Sequence, residues 1–449
     1  MSNKTKILFS CTECGNQQPK WSGRCPECSA WNTMVEERVL KKAAKHPLTE
    51  KRKLHSLERP VKTDIRRSAT GVEEFDRVLG GGFVDGMVIL LAGEPGIGKS
   101  TLVLQILSKL QGERFLYFSG EESEEQIALR AGRMGITDPR ILVACENNLE
   151  NIINHIETRQ PSLVVIDSVQ TVYSDIYDNV PGSVTQVREC AGSLLRKAKE
   201  LNFCVVLIGH ITKDGMIAGP KVLEHLVDTV LYLEGGKTNF YRTLRAMKNR
   251  FGSTHEVGLF TMKDSGLVPV DNPSEFFLAE RKKHVAGSTI AVSMEGTRPF
   301  LIEVQALVTQ SSYGNPQRTA NGIDHRRLAM LVAVLEKRAG YPLRLQDIFV
   351  NLVGGLRIDE TAINLGVVVA LASSFKDVPV NPAAVFIGEV GLVGEIRSVP
   401  LIEQRVREAL KFGFQPVYIP RANLKQLEEF KSGNIVGIDS INQLFNEIF

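Results

Sequence analysis

The sequence predicts an α/β protein built on a doubly wound parallel sheet, with a small metal-held module ahead of it and a further domain behind. Three observations predict this. Gly93-Glu94-Pro95-Gly96-Ile97-Gly98-Lys99-Ser100 is a complete phosphate-binding loop, apolar segments alternate with helical patterns after it, and two Cys-x-x-Cys pairs stand in front.

The 449 residues allow two or three domains with sizeable cores. Hydrophobic residues make up 43% and charged residues 23%, and no apolar run approaches the ~20 residues of a membrane-spanning helix. Ile7-Leu8-Phe9 is too short an apolar run for a signal peptide, so the expected location is the cytoplasm, with no membrane partner. Residues 1–70 hold 15 Lys and Arg against 7 Asp and Glu, a local balance of +8 inside a total of +3. A basic arm suits a polyanion, and a solvated lysine-rich linker is the alternative.

Cys11 and Cys14 are separated by ten residues from Cys25 and Cys28, the spacing of a zinc ribbon. So small a segment has too little core to fold without metal, and a redox dithiol explains one pair but not two. Residues 1–35 are therefore expected to hold structural Zn²⁺. Trp21, Trp31, Lys20 and Arg24 either offer a stacking surface or pack against the zinc lobe. Residues 36–67 turn polar and strongly charged, which predicts a linker. Val72, Phe75, Val78 and Leu79 then predict a short helix running into Gly80-Gly81-Gly82, and the catalytic core begins near Ser68.

Gly86 to Ala92 reads as a buried strand, and Leu102, Val103, Ile106, Leu107 and Leu110 as one helical face. The loop between them is the expected ATP site, from Gly93 through Thr101. Its glycines admit backbone N–H groups to phosphate, Lys99 reaches the β- and γ-phosphates, and Ser100 ligates Mg²⁺. Arg114 to Ser119 is a second strand, followed by Gly120 and Glu121. A carboxylate there can activate the attacking water, or serve only the next helix through its dipole, as Glu124 and Glu125 are expected to do. Leu163 to Ile166 delivers Asp167 toward Mg²⁺. Phe203 to Gly209 ends at His210, either a γ-phosphate sensor or a strand-end histidine. Lys237, Arg242, Arg245, Lys248 and Arg250 form a basic patch that binds phosphates or is an ordinary charged edge.

The paired Cys-x-x-Cys, the phosphate loop and Lys248-Asn249-Arg250-Phe251-Gly252 together resemble the bacterial RadA (Sms) DNA repair proteins over nearly the whole chain. That resemblance implies a RecA-like ATPase over residues 68–275. It also implies ring-shaped homo-hexamers, movement on single-stranded DNA, branch migration of recombination intermediates, and contact with branched DNA and the RecA recombinase. Nucleoid association follows when DNA is bound. By matching, Lys248 and Arg250 reach the neighbouring subunit's γ-phosphate, Glu121 activates water and His210 senses phosphate. Residues 170–188 and 211–221 match the DNA-facing loops, with Arg188, Lys213 and Lys221 as phosphate contacts.

Residues 286–449 are similar to the α+β proteolytic domain of Lon proteases. Ala362 stands at the nucleophile's place and Glu403 near the lysine's, which implies an inactive scaffold. The resulting expectation is a helicase-type, DNA-dependent ATPase. An ATP-dependent protease and a partner-switching regulatory ATPase are its rivals.

Overall fold

The computed structural model describes residues 5–11, 16–40, 66–210, 222–235, 241–311, 316–355, 357–427, 430 and 433–449. The chain packs as two compact units that meet in sequence at Pro269 and Val270.

At the amino end, β1 (Thr5–Cys11) is flanked by β2 (Gln17–Gln18) and β3 (Met34–Leu40) in an antiparallel sheet. Here the structure extends the ribbon beyond expectation. Residues 36–40, read as the start of the linker, pair in register with β1 from Phe9↔Glu36 to Thr5↔Leu40. Their charged sequence disguises a strand that is made by pairing with β1 rather than announced by apolar periodicity. The remaining linker residues, 41–65, lie outside the described residues.

The nucleotide-binding part opens with α1 (Glu73–Leu79), which ends in a left-handed Gly80. β4 (Val88–Gly93) is buried at every position and runs through the phosphate loop into α2 (Lys99–Lys109). There follow β5 (Phe115–Ser119), α3 (Glu124–Arg133), β6 (Ile141–Ala144), α4 (Leu149–Arg159), β7 (Leu163–Asp167), α5 (Val184–Leu201) and β8 (Cys204–His210). After α6 (Val222–Leu226) come β9 (Thr229–Glu234), β10 (Tyr241–Asn249), β11 (Val257–Lys263) and β12 (Gly266–Pro269). The sheet order is β12-β11-β10-β9-β4-β8-β7-β5-β6. Strands β9 to β6 are parallel, and β10 to β12 add an antiparallel extension.

Alternation along β4 divides the core. Ile89 and Leu91 pack with α1, α2 and α3, while Val88 and Leu90 pack with α4 and α5 on the other face. Each fully buried side chain of this size contributes roughly 1.5–3 kcal/mol. The central strand is thereby held from both sides. Ser123 caps α3 in a capping box with Gln126, so Glu124 and Glu125 occupy its first turn.

The second unit begins earlier than residue 286. Its α7 (Pro273–Leu278) sets Phe277 5.7 Å from Phe300, so the expected boundary at 275 falls within a helix whose apolar face belongs to this unit. β13 (Ser288–Glu295), β14 (Arg298–Gln310), β15 (Arg318–Asn321), α8 (His325–Ala339), β16 (Gln346–Leu352) and α9 (Asn364–Lys376) follow. The chain ends with β17 (Val385–Phe386), α10 (Ile402–Lys411), β18 (Val417–Pro420), β19 (Ile435–Ile438) and α11 (Ile441–Ile448). The mixed sheet runs β15-β16-β14-β13-β17-β18-β19. No helix among the described residues is long and apolar enough to cross a membrane.

Candidate active site

Four adjacent parallel strands, β4, β8, β7 and β5, end together, and register sets their terminal residues side by side. His210 pairs with Gly93, and Asp167 lies level with both Ile208 and Ser119. The carboxyl edge of such a sheet is where α/β folds bind ligands. Gly93, Glu121, Asp167 and His210 therefore share one edge because their strands share one direction.

Between Gly93 and α2, Gly96 and Gly98 have φ of +77° and +114°, a region that favours glycine. Lys99 is buried, and its Nζ donates to the carbonyls of Gly93 and Glu94, each at 2.9 Å. His210 Nδ1 lies 3.3 Å from the same ammonium. Burial pulls the Lys99 pKa down to about 8 against the opposing fields of Asp167 and Glu121. Lys99 forms no ion pair among the described residues. A buried cation satisfied only by carbonyls and an imidazole fits an incoming phosphate.

Glu121 follows Gly120, where a Cβ would stand 2.0 Å from Thr171 Oγ1 and force the two segments apart. Its Oε1 accepts from Ser168 Oγ at 2.5 Å and lies 3.2 Å from His210 Nε2, close enough for an ion pair but without hydrogen-bond alignment. Glu122 turns away to pair with Arg130. Asp167 Oδ2 accepts from the buried Tyr117 hydroxyl at 2.5 Å. Burial and then the Asp167 charge raise the Tyr117 pKa well above its ordinary value, so the phenol stays protonated. Ser100, in the first turn of α2, and Asp167, at the end of β7, offer a hydroxyl and a carboxylate, a donor set suited to Mg²⁺.

Lys248 and Arg250 are not brought to this edge. Lys248 pairs with Val230, itself level with Leu90, toward the opposite end of β4. Its ammonium donates to the carbonyls of Glu224, His225 and Val227 at 2.8, 3.1 and 2.7 Å, at the carboxyl end of α6. Arg250 pairs with the buried Asp228, which also accepts from Lys199 Nζ at 2.7 Å and from Val88 N at 3.1 Å. Arg188 lies on α5 rather than in a loop, paired with Glu189 at 2.9 Å, because Ser183 caps the helix ahead of it. Lys213 and Lys221 lie outside the described residues.

In the ribbon, the sulfurs of Cys11, Cys25 and Cys28 all lie within 4.8 Å of one another, with Cys11 and Cys28 at 3.6 Å. Thiolates about 2.3 Å from a tetrahedral zinc stand roughly 3.8 Å apart, so these three fit the ion. Cys14 lies outside the described residues. Trp21 and Trp31 are 59% and 69% exposed, with edges of both rings beside Gly23 of the same lobe.

In the second unit, Ala362 is buried in the apolar core with Ile290, Val292, Ile387 and Ile402, while Glu403 is exposed on the first turn of α10. Beside them the buried Arg405 holds Glu360 through two hydrogen bonds, at 2.6 and 3.0 Å. Sequence reasoning missed Tyr117, Ser168, Asp228 and this ion pair. Tyr117 had a signal, a hydroxyl within a strand otherwise apolar; the others depend on contacts distant in sequence.

Comparisons with known proteins agree with this geometry. The family profile described as "AAA domain" matches residues 54–216, "Rubredoxin metal binding domain" matches 9–36, and "Subunit ChlI of Mg-chelatase" matches 314–423. The chain is 50% identical to the DNA repair protein RadA of Bacillus subtilis (strain 168) over 446 residues, covering 98% of this chain and 97% of that one. It is 49% identical to the RadA of Halalkalibacterium halodurans over 98% of this chain and 97% of that one. With the RadA of Streptococcus pyogenes serotype M1 it shares 47% identity over 99% of both chains. The zinc ribbon, the ATPase core and the Lon-like carboxyl-terminal domain thus occur together, and the chain belongs to the bacterial RadA family of DNA repair proteins.

Proposed function

We propose that the protein is a DNA-dependent ATPase and helicase-type motor that advances branch points of recombination intermediates on single-stranded and branched DNA. The observation that carries this reading is the shared strand edge bearing Lys99, Glu121, Asp167 and His210, with Lys248 and Arg250 at the other end of the same sheet. A chain that holds its two motif cations away from its own phosphate loop is suited to lend them to a neighbour, so the reading includes a homo-hexameric ring with ATP between subunits.

Residues 93–101 bind the triphosphate, and Lys99 exchanges its carbonyl partners for phosphate oxygens. Ser100 and Asp167 would hold Mg²⁺, which would supply charge to neutralise the phosphates. Glu121, oriented by Ser168, takes the proton from the attacking water as the γ-phosphoryl group leaves ADP. His210 touches both Lys99 and Glu121 and so responds to loss of the γ-phosphate, passing that change to residues 211–221. Lys248 and Arg250 stabilise transition-state charge in trans. Arg188, Lys213 and Lys221 serve as DNA phosphate contacts, and the RecA recombinase is the proposed protein partner. The second unit acts as an assembly scaffold without peptidase activity, since the nucleophile's place is a buried alanine.

The test is steady-state ATP hydrolysis with and without single-stranded DNA at low salt, followed by displacement of a branched junction. Stimulation by DNA together with ATP-dependent branch movement is expected. Turnover indifferent to DNA would move the weight to a partner-switching ATPase.

A further inference from the structure

Tyr117 carries a hydroxyl that packing does not require. It is completely buried on β5 within the core formed by Phe115, Leu102, Val103 and Val165, where a phenylalanine would fill the same volume. A buried hydroxyl is destabilising unless it is hydrogen-bonded. The partner of this one, Asp167 at 2.5 Å, belongs to the candidate active site.

A phenol has a single proton, and the carboxylate of Asp167 can only accept it. Asp167 is held through Oδ2, and its Oδ1 accepts from no described side chain.

We infer that Tyr117 is a positioning residue for the Mg²⁺–nucleotide site, one that fixes Asp167 through Oδ2 and so leaves Oδ1 for the cation. The inference rests on the ATPase reading above. Without the phenol, Asp167 loses the contact that fixes its plane. Outer partners of this kind tune metal affinity by about 10–100-fold.

The test uses the full chain and a fluorescent ADP analogue titrated in EDTA and at graded Mg²⁺. For Tyr117→Phe the affinity in EDTA is expected within about twofold of the parent, while the Mg²⁺ midpoint rises about tenfold. An unchanged midpoint overturns the inference. So does equal weakening with and without Mg²⁺, which is what a purely structural role predicts. A parent protein that fails to bind the analogue, or binds it without regard to Mg²⁺, instead overturns the ATPase reading itself. Should Tyr117→Phe not fold, the parent labelled with 3-fluorotyrosine decides the matter by ¹⁹F NMR. Of eight tyrosines, one is expected to shift when Mg²⁺ is added to the ADP complex, and silence from all eight overturns the inference.

Discussion

The ammonium of Lys99 lies 3.3 Å from Nδ1 of His210, so the cation proposed to meet phosphate and the histidine at the end of β8 are already in contact. Burial holds the Lys99 pKa at about 8, and phosphate binds the charged form. Nucleotide affinity is therefore expected to be nearly flat below pH 7.5. Above pH 8, binding requires proton uptake, and affinity falls by up to about tenfold per pH unit. Isothermal titration across pH 7–9.5 checks this, and Lys99→Met is expected to abolish the slope along with most of the affinity.

Glu121→Gln keeps the size of the side chain and its contact with Ser168 while removing the base. ATP hydrolysis is expected to fall about 10²–10⁴-fold with nucleotide affinity preserved. Ser168→Ala, which only releases the carboxylate, should produce a smaller loss in the same single-turnover assay.

The proposed sharing of active sites between subunits makes a sharper prediction. Lys248→Ala and Lys99→Ala are each expected to be inactive alone. Mixed, they pair an intact phosphate loop from the first with an intact Lys248 from the second, and part of the activity returns. Hydrolysis measured across mixing ratios reads this directly, and no recovery at any ratio argues for sites complete within one chain.

Both tryptophans of the chain, Trp21 and Trp31, lie in the ribbon, and Arg24 sits over the Trp31 ring at 5.8 Å. Intrinsic tryptophan emission therefore reports on that module alone. Chelation or Cys28→Ser is expected to release zinc and shift the emission, because metal contributes on the order of 10–16 kcal/mol to folding a site of this kind. ATP hydrolysis without DNA should persist.

In the second unit, Arg405→Ala leaves Glu360 without its main partner and is expected to destabilise the fold by about 3–5 kcal/mol in chemical denaturation. Replacing both residues by apolar ones of similar volume should cost less. Ala362→Ser is expected to yield no casein digestion, since the new hydroxyl would lie in an apolar core with no base beside it.

Much of this was legible in the sequence because it is carried by short, contiguous stretches. The phosphate loop between an apolar strand and a helix, the paired cysteines, and Asp167 and Glu121 near strand ends each combine local pattern with a chemical requirement for particular residue types. The order of the elements follows from the same alternation. What the chain could not announce were relationships between stretches far apart. The strand at residues 36–40 is charged and becomes a strand only by pairing with β1. Tyr117 reads as one more apolar strand residue until β7 brings Asp167 to its hydroxyl. Lys248 reads as a member of a basic patch until the register of β9 and β10 sets it at the far end of the sheet from Lys99. Local sequence determines which groups are present and which backbone they ride on; strand order and register, set by burial across the whole sheet, decide which of those groups meet.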